Sequence, residues 1–249
     1  MSETTLSARE SLPICSKEYW RLAAKNFSDV RMLVFASLII ALRVAVKMLK
    51  IPLAAGLSLS FDCYVNSVGS MIYGPLVGLA VGAVSDTLGC LIFPSGPYFF
   101  PFIFVEMSSS FIFALFLWKR ELTVGRVLLS KFTVNFICNI ILTSIFYKWM
   151  LYVFYGLEDA QGYALINLTR IGKNLVLFPL EAVLITLILS ALTPAFRSLK
   201  LLPRTQEKLR VEKKHVILII ALTLISVGLI LFYVFFLKDF ISAHNIKIG

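Results

Sequence analysis

Asp86 and Glu106 are carboxylates set inside long apolar runs, and Arg170 and Lys173 are cations at the head of another. An ionisable group in an apolar segment of membrane length is costly and marks a site or a buried partner. Charges of opposite sign on separate segments leave two arrangements open. One is a set of internal ion pairs that hold a bundle together. The other is a pocket in which Arg170 and Lys173 pair the carboxylates of an anionic, aromatic or amide-bearing solute. The stretch Pro94–Pro101, PSGPYFFP, adds Ser95, Gly96, Tyr98 and Phe99, an aromatic loop suited to cover such a pocket. Lys131, Asn135, Asn139 and Thr143 recur at every fourth residue, and Arg170, Asn174, Leu177 and Glu181 share a second face. A polar stripe on an apolar helix must turn toward protein or a wet cavity, because lipid offers it no hydrogen bonds. Asn135 and Asn139 serve equally well as glue between helices.

Catalytic chemistry finds little support. The only histidines, His215 and His244, flank the last apolar run, which removes a Ser–His or metal–histidine centre from the interior. Chemistry by Asp86 and Glu106 alone stays formally open. The four cysteines, Cys15, Cys63, Cys90 and Cys138, have neither metal-ligand nor disulfide-framework spacing. No catalytic residue, metal or cofactor is expected.

The elements that must position these residues are membrane helices. Of 249 residues, 59% are hydrophobic and 15% charged, with a mean hydropathy of +0.87. Apolar runs of about 17–25 residues, the length that crosses a hydrocarbon core of ~30 Å, recur along the chain. The reading is an all-α polytopic membrane protein. Residues 1–31 form a cytoplasmic leader with an amphipathic interfacial helix, in which Lys17, Arg21 and Lys25 suit an anionic leaflet. Residues 32–193 hold six spans, 194–215 a basic cytoplasmic linker, 216–237 a seventh transmembrane helix and 238–249 a short outside tail. Basic residues concentrate in the leader, at Lys119, Arg120 and Arg126, and in the linker. All three fall on one side of this arrangement, which places the N-terminus in the cytoplasm and the C-terminus outside. The net charge of +10 is thereby explained by membrane topology, not by nucleic acid.

Within the spans, Gly74, Gly78 and Gly82 stack bare patches on one helix face and predict a closely packed neighbour. A short polar second span is expected at 57–73, and a bend at Pro179. Arg43 is expected to pair with a membrane acid, and Lys47 to snorkel outward as a simple anchor.

Several phrases together resemble the folate-family substrate-binding subunits of energy-coupling factor transporters. They are Gly74-Pro75, Asp86 to Gly89, Pro94 to Pro101, and Arg170, Lys173, Asn174 and Pro179 in RIGKNLVLFP. The resemblance covers about residues 17–203. It implies a six-helix S-component bundle that captures a vitamin such as folate from outside. It also implies docking on a transmembrane coupling subunit with two cytoplasmic ATPases, through Ala36, Ala41 and Ala45 of the first span. The substrate-binding residues it implies are Asp86, Ser95, Gly96, Tyr98, Phe99, Glu106, Asn139, Arg170, Lys173 and Asn174. No G-x-x-x-x-G-K-[ST] loop is present, so ATP hydrolysis would belong to the partners. Glu106 departs from the family, which continues the loop with glycine and a small hydroxyl residue, so an S component for a different vitamin or metabolite is the alternative. The seventh span is extra. A self-sufficient secondary transporter would need two comparable repeats, and none is visible. A membrane assembly protein would explain the glycine ladder but would leave Arg170, Lys173 and the aromatic loop without a purpose.

Overall fold

The structure, a computed structural model, describes residues 13–54, 57–94, 98–156, 168–202 and 213–232. Seven helices and one strand pair are present among them: α1 (Lys17–Lys25), α2 (Val30–Val46), β1 (Lys50–Ala54), β2 (Leu57–Ser60), α3 (Asp62–Ile92), α4 (Phe102–Leu117), α5 (Val124–Tyr155), α6 (Leu168–Ser198) and α7 (Lys213–Phe232). Three helical stretches, Asp62–Ile92, Val124–Tyr155 and Arg170–Ser198, are long and apolar enough to cross a membrane.

The helix starts follow ordinary capping chemistry. Ser16 and Asp29 accept hydrogen bonds from the backbone N–H groups of Tyr19 and Arg31, at 3.1 and 2.9 Å. Each satisfies a donor that a helix N-terminus leaves orphaned. In α1, Tyr19 and Ala23 are buried one turn apart, while Lys17, Arg21 and Lys25 stay exposed, so the helix is amphipathic as expected. Its buried face packs edge-on against Trp118, with ring centroids 4.9 Å apart, and Trp20 stacks on Phe111. Burial also draws the Lys119 amine below its ordinary pKa, with its Nζ 4.9 Å above the Trp118 ring.

The pivotal element is α3, which is two helical arms joined by a sharp reversal. Gly74 takes φ +82°, a left-handed conformation that glycine adopts without penalty, and Pro75 follows as the first residue of the second arm. Asn26 Nδ2 donates to the Tyr73 carbonyl at 2.9 Å, satisfying an acceptor that the reversal exposes. Both arms flank α4. Asp62 and Asn66 of the first arm reach the level of Glu106 and Ser110 through Arg43 and a 2.7 Å hydrogen bond. Gly82 and Gly78 of the second arm lie against those same two residues. The arms therefore run antiparallel where the second and third spans were expected, with the first arm shortened to Asp62–Tyr73. The glycine ladder packs against α4 at two of its three steps: a Cβ at Gly82 would stand 2.8 Å from the Glu106 carbonyl and one at Gly78 3.5 Å from that of Ser110, whereas Gly74, expected on the same helix face, is the reversal itself and lies against the Trp118 ring.

Two expectations need correction. Leu57–Ser60 is not helical; it pairs antiparallel with β1, in the register Ile51↔Leu59 and Pro52↔Ser58. Leu59 is buried while Ser58 is exposed, the period-two alternation of a strand. Ala36, expected beside Ala41 and Ala45 on a partner-facing surface, is 5% exposed and packs with Ile39, Tyr73, Val77 and Val81 inside the bundle. Helix α6 continues through Pro179, the residue at which a bend is expected, and through Pro194.

Helix α5 carries a π-helical stretch, Asn135–Leu142, in its middle, where the Thr143 hydroxyl donates to the Cys138 carbonyl at 2.7 Å. Its polar stripe turns toward α6: Lys131 pairs with Glu181 at 2.9 Å, and Asn139 donates to Asn174 at 3.2 Å. The main core lies between the first arm of α3, α4, α5 and α6. Helix α7 packs on α6. The 57–60 strand aside, the domain boundaries read from the sequence remain an organisational proposal. The leader before residue 13, residues 203–212 of the linker and the outside tail lie outside the described residues.

Candidate ligand cavity

At the end of the bundle away from α1, the first arm of α3 starts at Asp62, while its neighbours α2, α4 and α5 continue past it. The space so left is a cavity of about 1020 Å³. Its wall is built from Lys47 and Met48 after α2, Ser60 and Asp62 at the head of α3, and Asp86, Gly89 and Cys90 on the second arm. Ile92 at the end of α3, Phe93, Pro94, Tyr98 and Phe99 of the loop, Phe102 and Glu106 of α4, and Tyr147 and Met150 of α5 complete it. Aromatic contacts hold the loop in place. Phe99 is nearly buried and meets Trp149 edge-on at 5.5 Å, with Phe102 and Phe154 on its other sides.

The charged residues of the wall are organised by Arg43. This side chain is fully buried, and a buried charge persists only when paired and hydrogen-bonded. Its Nε and Nη2 donate to the two oxygens of Asp62 at 2.9 and 2.8 Å. Nη2 also donates to Glu106 Oε2, and Nη1 donates to Ser110 Oγ at 3.3 Å. Nearby, Lys47 Nζ donates to Asp86 Oδ1 at 3.0 Å. The expectation for Arg43 is met. That for Lys47 is corrected, because an acid lies within reach of its amine and pairing replaces escape to the interface.

Of the sequence-derived candidates, Asp86, Tyr98, Phe99 and Glu106 line this cavity. Ser95 and Gly96 lie outside the described residues. Asn139 and Asn174 meet across the α5–α6 seam, with Asn174 also donating to the Arg170 carbonyl, and Asn139, Arg170, Lys173 and Asn174 all lie outside the cavity lining. Asp86 and Glu106 therefore do not pair with Arg170 and Lys173, as a simple convergence of charges implied; their partners are Lys47 and Arg43. Arg170 comes near the cavity wall through Tyr147, with its guanidinium 5.5 Å from the centre of that ring. Asp62, Lys47, Tyr147 and Met150 were not picked out as site residues. Asp62 carried one signal, as the acid heading a short polar span. Tyr147 and Met150 carried none, because an aromatic and a methionine in an apolar helix read as ordinary packing.

Comparison with known proteins bears on this arrangement. The family described as ECF-type riboflavin transporter, S component, matches residues 27–194. A protein named Folate transporter FolT from Clostridium novyi (strain NT) is 29% identical over 119 residues, which are 48% of this chain and 64% of that protein. The chain thus spans slightly less than two thirds of that relative's length. Another Folate transporter FolT, from Leuconostoc mesenteroides subsp. mesenteroides, is 29% identical over 154 residues, 61% of this chain and 81% of the relative. Among solved structures, one titled "Crystal structure of FolT bound with folic acid" superposes with a TM-score of 0.53 at 27% identity, covering 63% of this chain and 91% of that one.

Proposed function

The chain belongs to the ECF-type riboflavin transporter S-component family, and on that premise we propose that it binds folate or a closely related anionic vitamin in the cavity and delivers it across the membrane. The observation that carries the reading is the cavity itself, walled by aromatic rings and by charged groups that are already paired. A few placed polar groups in an otherwise aromatic and apolar wall are what a specific solute site requires. Similarity to two proteins named folate transporters, and to a structure holding folic acid, supports folate over riboflavin.

In this reading Asp86, Tyr98, Phe99 and Glu106 contact the ligand directly, joined by Ser95 and Gly96 of the covering loop. Arg170 and Lys173 attract its carboxylates at the outer rim. Asn139 and Asn174 hold α5 and α6 in register behind that rim. No chemical step is assigned to the chain: it captures and releases, and energy comes from partners. Those partners are a transmembrane coupling subunit and two ATPases, docking on the face of α2 that carries Ala41 and Ala45. Both alanines are exposed, amid exposed Val34, Leu38 and Leu42. The α1 end, bearing Lys17, Arg21, Lys25 and Lys119, faces the cytoplasm, and the cavity opens outside.

Titration of the detergent-purified protein with folic acid and with riboflavin tests the reading. Submicromolar binding of folic acid, weakened by Arg170→Ala, is expected. Failure of folic acid to bind at that level overturns it.

A further inference from the structure

Glu106 is unequally held. Arg43 grips both oxygens of Asp62 but only Oε2 of Glu106. Among the described residues Oε1 of Glu106 accepts no hydrogen bond, and the side chain, 26% exposed, lines the cavity. The groups around it are two carboxylates, Asp62 and Asp86, and two cations, Arg43 and Lys47. Three carboxylates thus share two positive charges, in a wall that otherwise combines rings such as Phe99 and Phe102 with small and apolar side chains such as Cys90 and Met150. In that setting an unengaged carboxylate oxygen favours a ligand that brings N–H donors and disfavours one that brings carbonyl oxygens.

Resting on the folate reading above, we infer that Glu106 is the specificity-determining residue of the cavity. It accepts hydrogen bonds from the amino-bearing edge of a nitrogen heterocycle, and so separates a 2-aminopyrimidinone ring from a pyrimidinedione ring. Folic acid carries the first type of edge, in which an exocyclic amino group and a ring N–H point the same way. Riboflavin carries the second, in which a ring N–H stands between two carbonyl oxygens. The carboxylate attracts the former and repels the flanking oxygens of the latter. The anionic tail of the ligand then extends toward the α5–α6 rim, where Arg170 stands over Tyr147 and Lys173 lies one turn of α6 further on. The acid at position 106 therefore reads as selection of the ring and leaves the anionic end of the ligand to the rim.

Competition against labelled folic acid tests this with two ring compounds that differ only in the group concerned, pterin (2-amino-4-oxo) and lumazine (2,4-dioxo). A charge-assisted hydrogen bond of ordinary strength predicts that the protein prefers pterin by roughly tenfold to a hundredfold. Glu106→Gln is expected to weaken folic acid by about tenfold or more and to narrow the pterin preference. The variant keeps the Arg43–Asp62 pair intact, with one charge of each sign, so the bundle retains its fold. Equal competition by pterin and lumazine in the unaltered protein overturns the inference without need of any variant. Unchanged folic acid affinity in Glu106→Gln overturns it as well. Either result leaves the folate reading standing, whereas absence of folic acid binding by the unaltered protein removes both.

Discussion

Replacing Arg43 by methionine isolates the group on which the interior charges depend. Methionine keeps much of the stem volume and removes the guanidinium, leaving Asp62 and Glu106 facing each other with no cation between them. Three of the four hydrogen bonds lost are to carboxylates. The two acids are only 14% and 26% exposed, so water replaces little of what is lost. Breaking a buried ion pair from one side costs about 3–5 kcal/mol. For a chain of this size that corresponds to an apparent melting temperature lower by roughly 6–20 °C. Glu106→Gln behaves differently, because Arg43 keeps Asp62 as a one-to-one partner, and its loss is expected to be within about 1 kcal/mol. The triple change Arg43→Met, Asp62→Asn, Glu106→Gln removes all three charges together and recovers most of the stability of the starting protein. Thermal unfolding in detergent, followed by intrinsic tryptophan fluorescence or by static light scattering, measures all three. If Arg43→Met melts within 2 °C or so of the unaltered protein, or if Glu106→Gln is as damaging as Arg43→Met, the account of a single shared guanidinium is wrong.

Further outcomes follow from individual contacts. Gly82→Ala drives a Cβ into the backbone of α4 at Glu106 and Met107, and is expected to destabilise by about 1–3 kcal/mol. Gly125→Ala meets open space and is expected to be neutral or slightly stabilising, so comparing their melting curves checks the helix contact. Ala41→Leu is expected to reduce co-purification of a coupling subunit while leaving the dissociation constant for folic acid unchanged; a change in both would place Ala41 in the bundle interior. Cys90 lines the cavity, and in a Cys15→Ser background its maleimide labelling is expected to slow several-fold when folic acid is present. Equal labelling rates with and without ligand would place the ligand elsewhere.

How legible these features were depended on what set them. The reversal at Gly74-Pro75 was signalled by residue types, because left-handed backbone and a missing N–H are intrinsic to glycine and proline, but the four-residue spacing to Gly78 and Gly82 read Gly74 into a helix face instead. The Gly78 and Gly82 steps of the ladder could be read because their period is local. The partner of Arg43 was foreseeable only as some acid, since which carboxylate lies across depends on how α2, α3 and α4 are set side by side. Lys47 was misread because a lysine near a helix end normally reaches water, and nothing local signals that Asp86 lies within 3.0 Å. Ala41 and Ala45 differ from Ala36 only in which side of α2 meets α3, and alanine spacing alone does not carry that information. Leu57–Ser60 joined a helix in the sequence reading because four residues are too few to reveal a period of two. Tyr147 and Met150 enter the cavity wall by virtue of where α5 passes the loop, a property of assembly and not of either residue.

The early start of α3 at Asp62 has a consequence for how such a site changes over time. From Asp62 to Tyr73 the first arm is about 18 Å long, against a hydrocarbon thickness of ~30 Å. The strand pair Lys50–Ala54 and Leu57–Ser60 occupies the stretch of chain that would otherwise complete the helix. Ser60 and Asp62 line the cavity, so the point at which this helix begins sets one of its walls. Adding or deleting a single turn where β2 gives way to α3 would move that wall by about 5.4 Å, while Glu106, Asp86 and the aromatic loop stayed where they are. Capacity and chemical selectivity are encoded in separate parts of the chain, so insertions and deletions can retune the length of cargo accepted independently of substitutions that retune its chemistry.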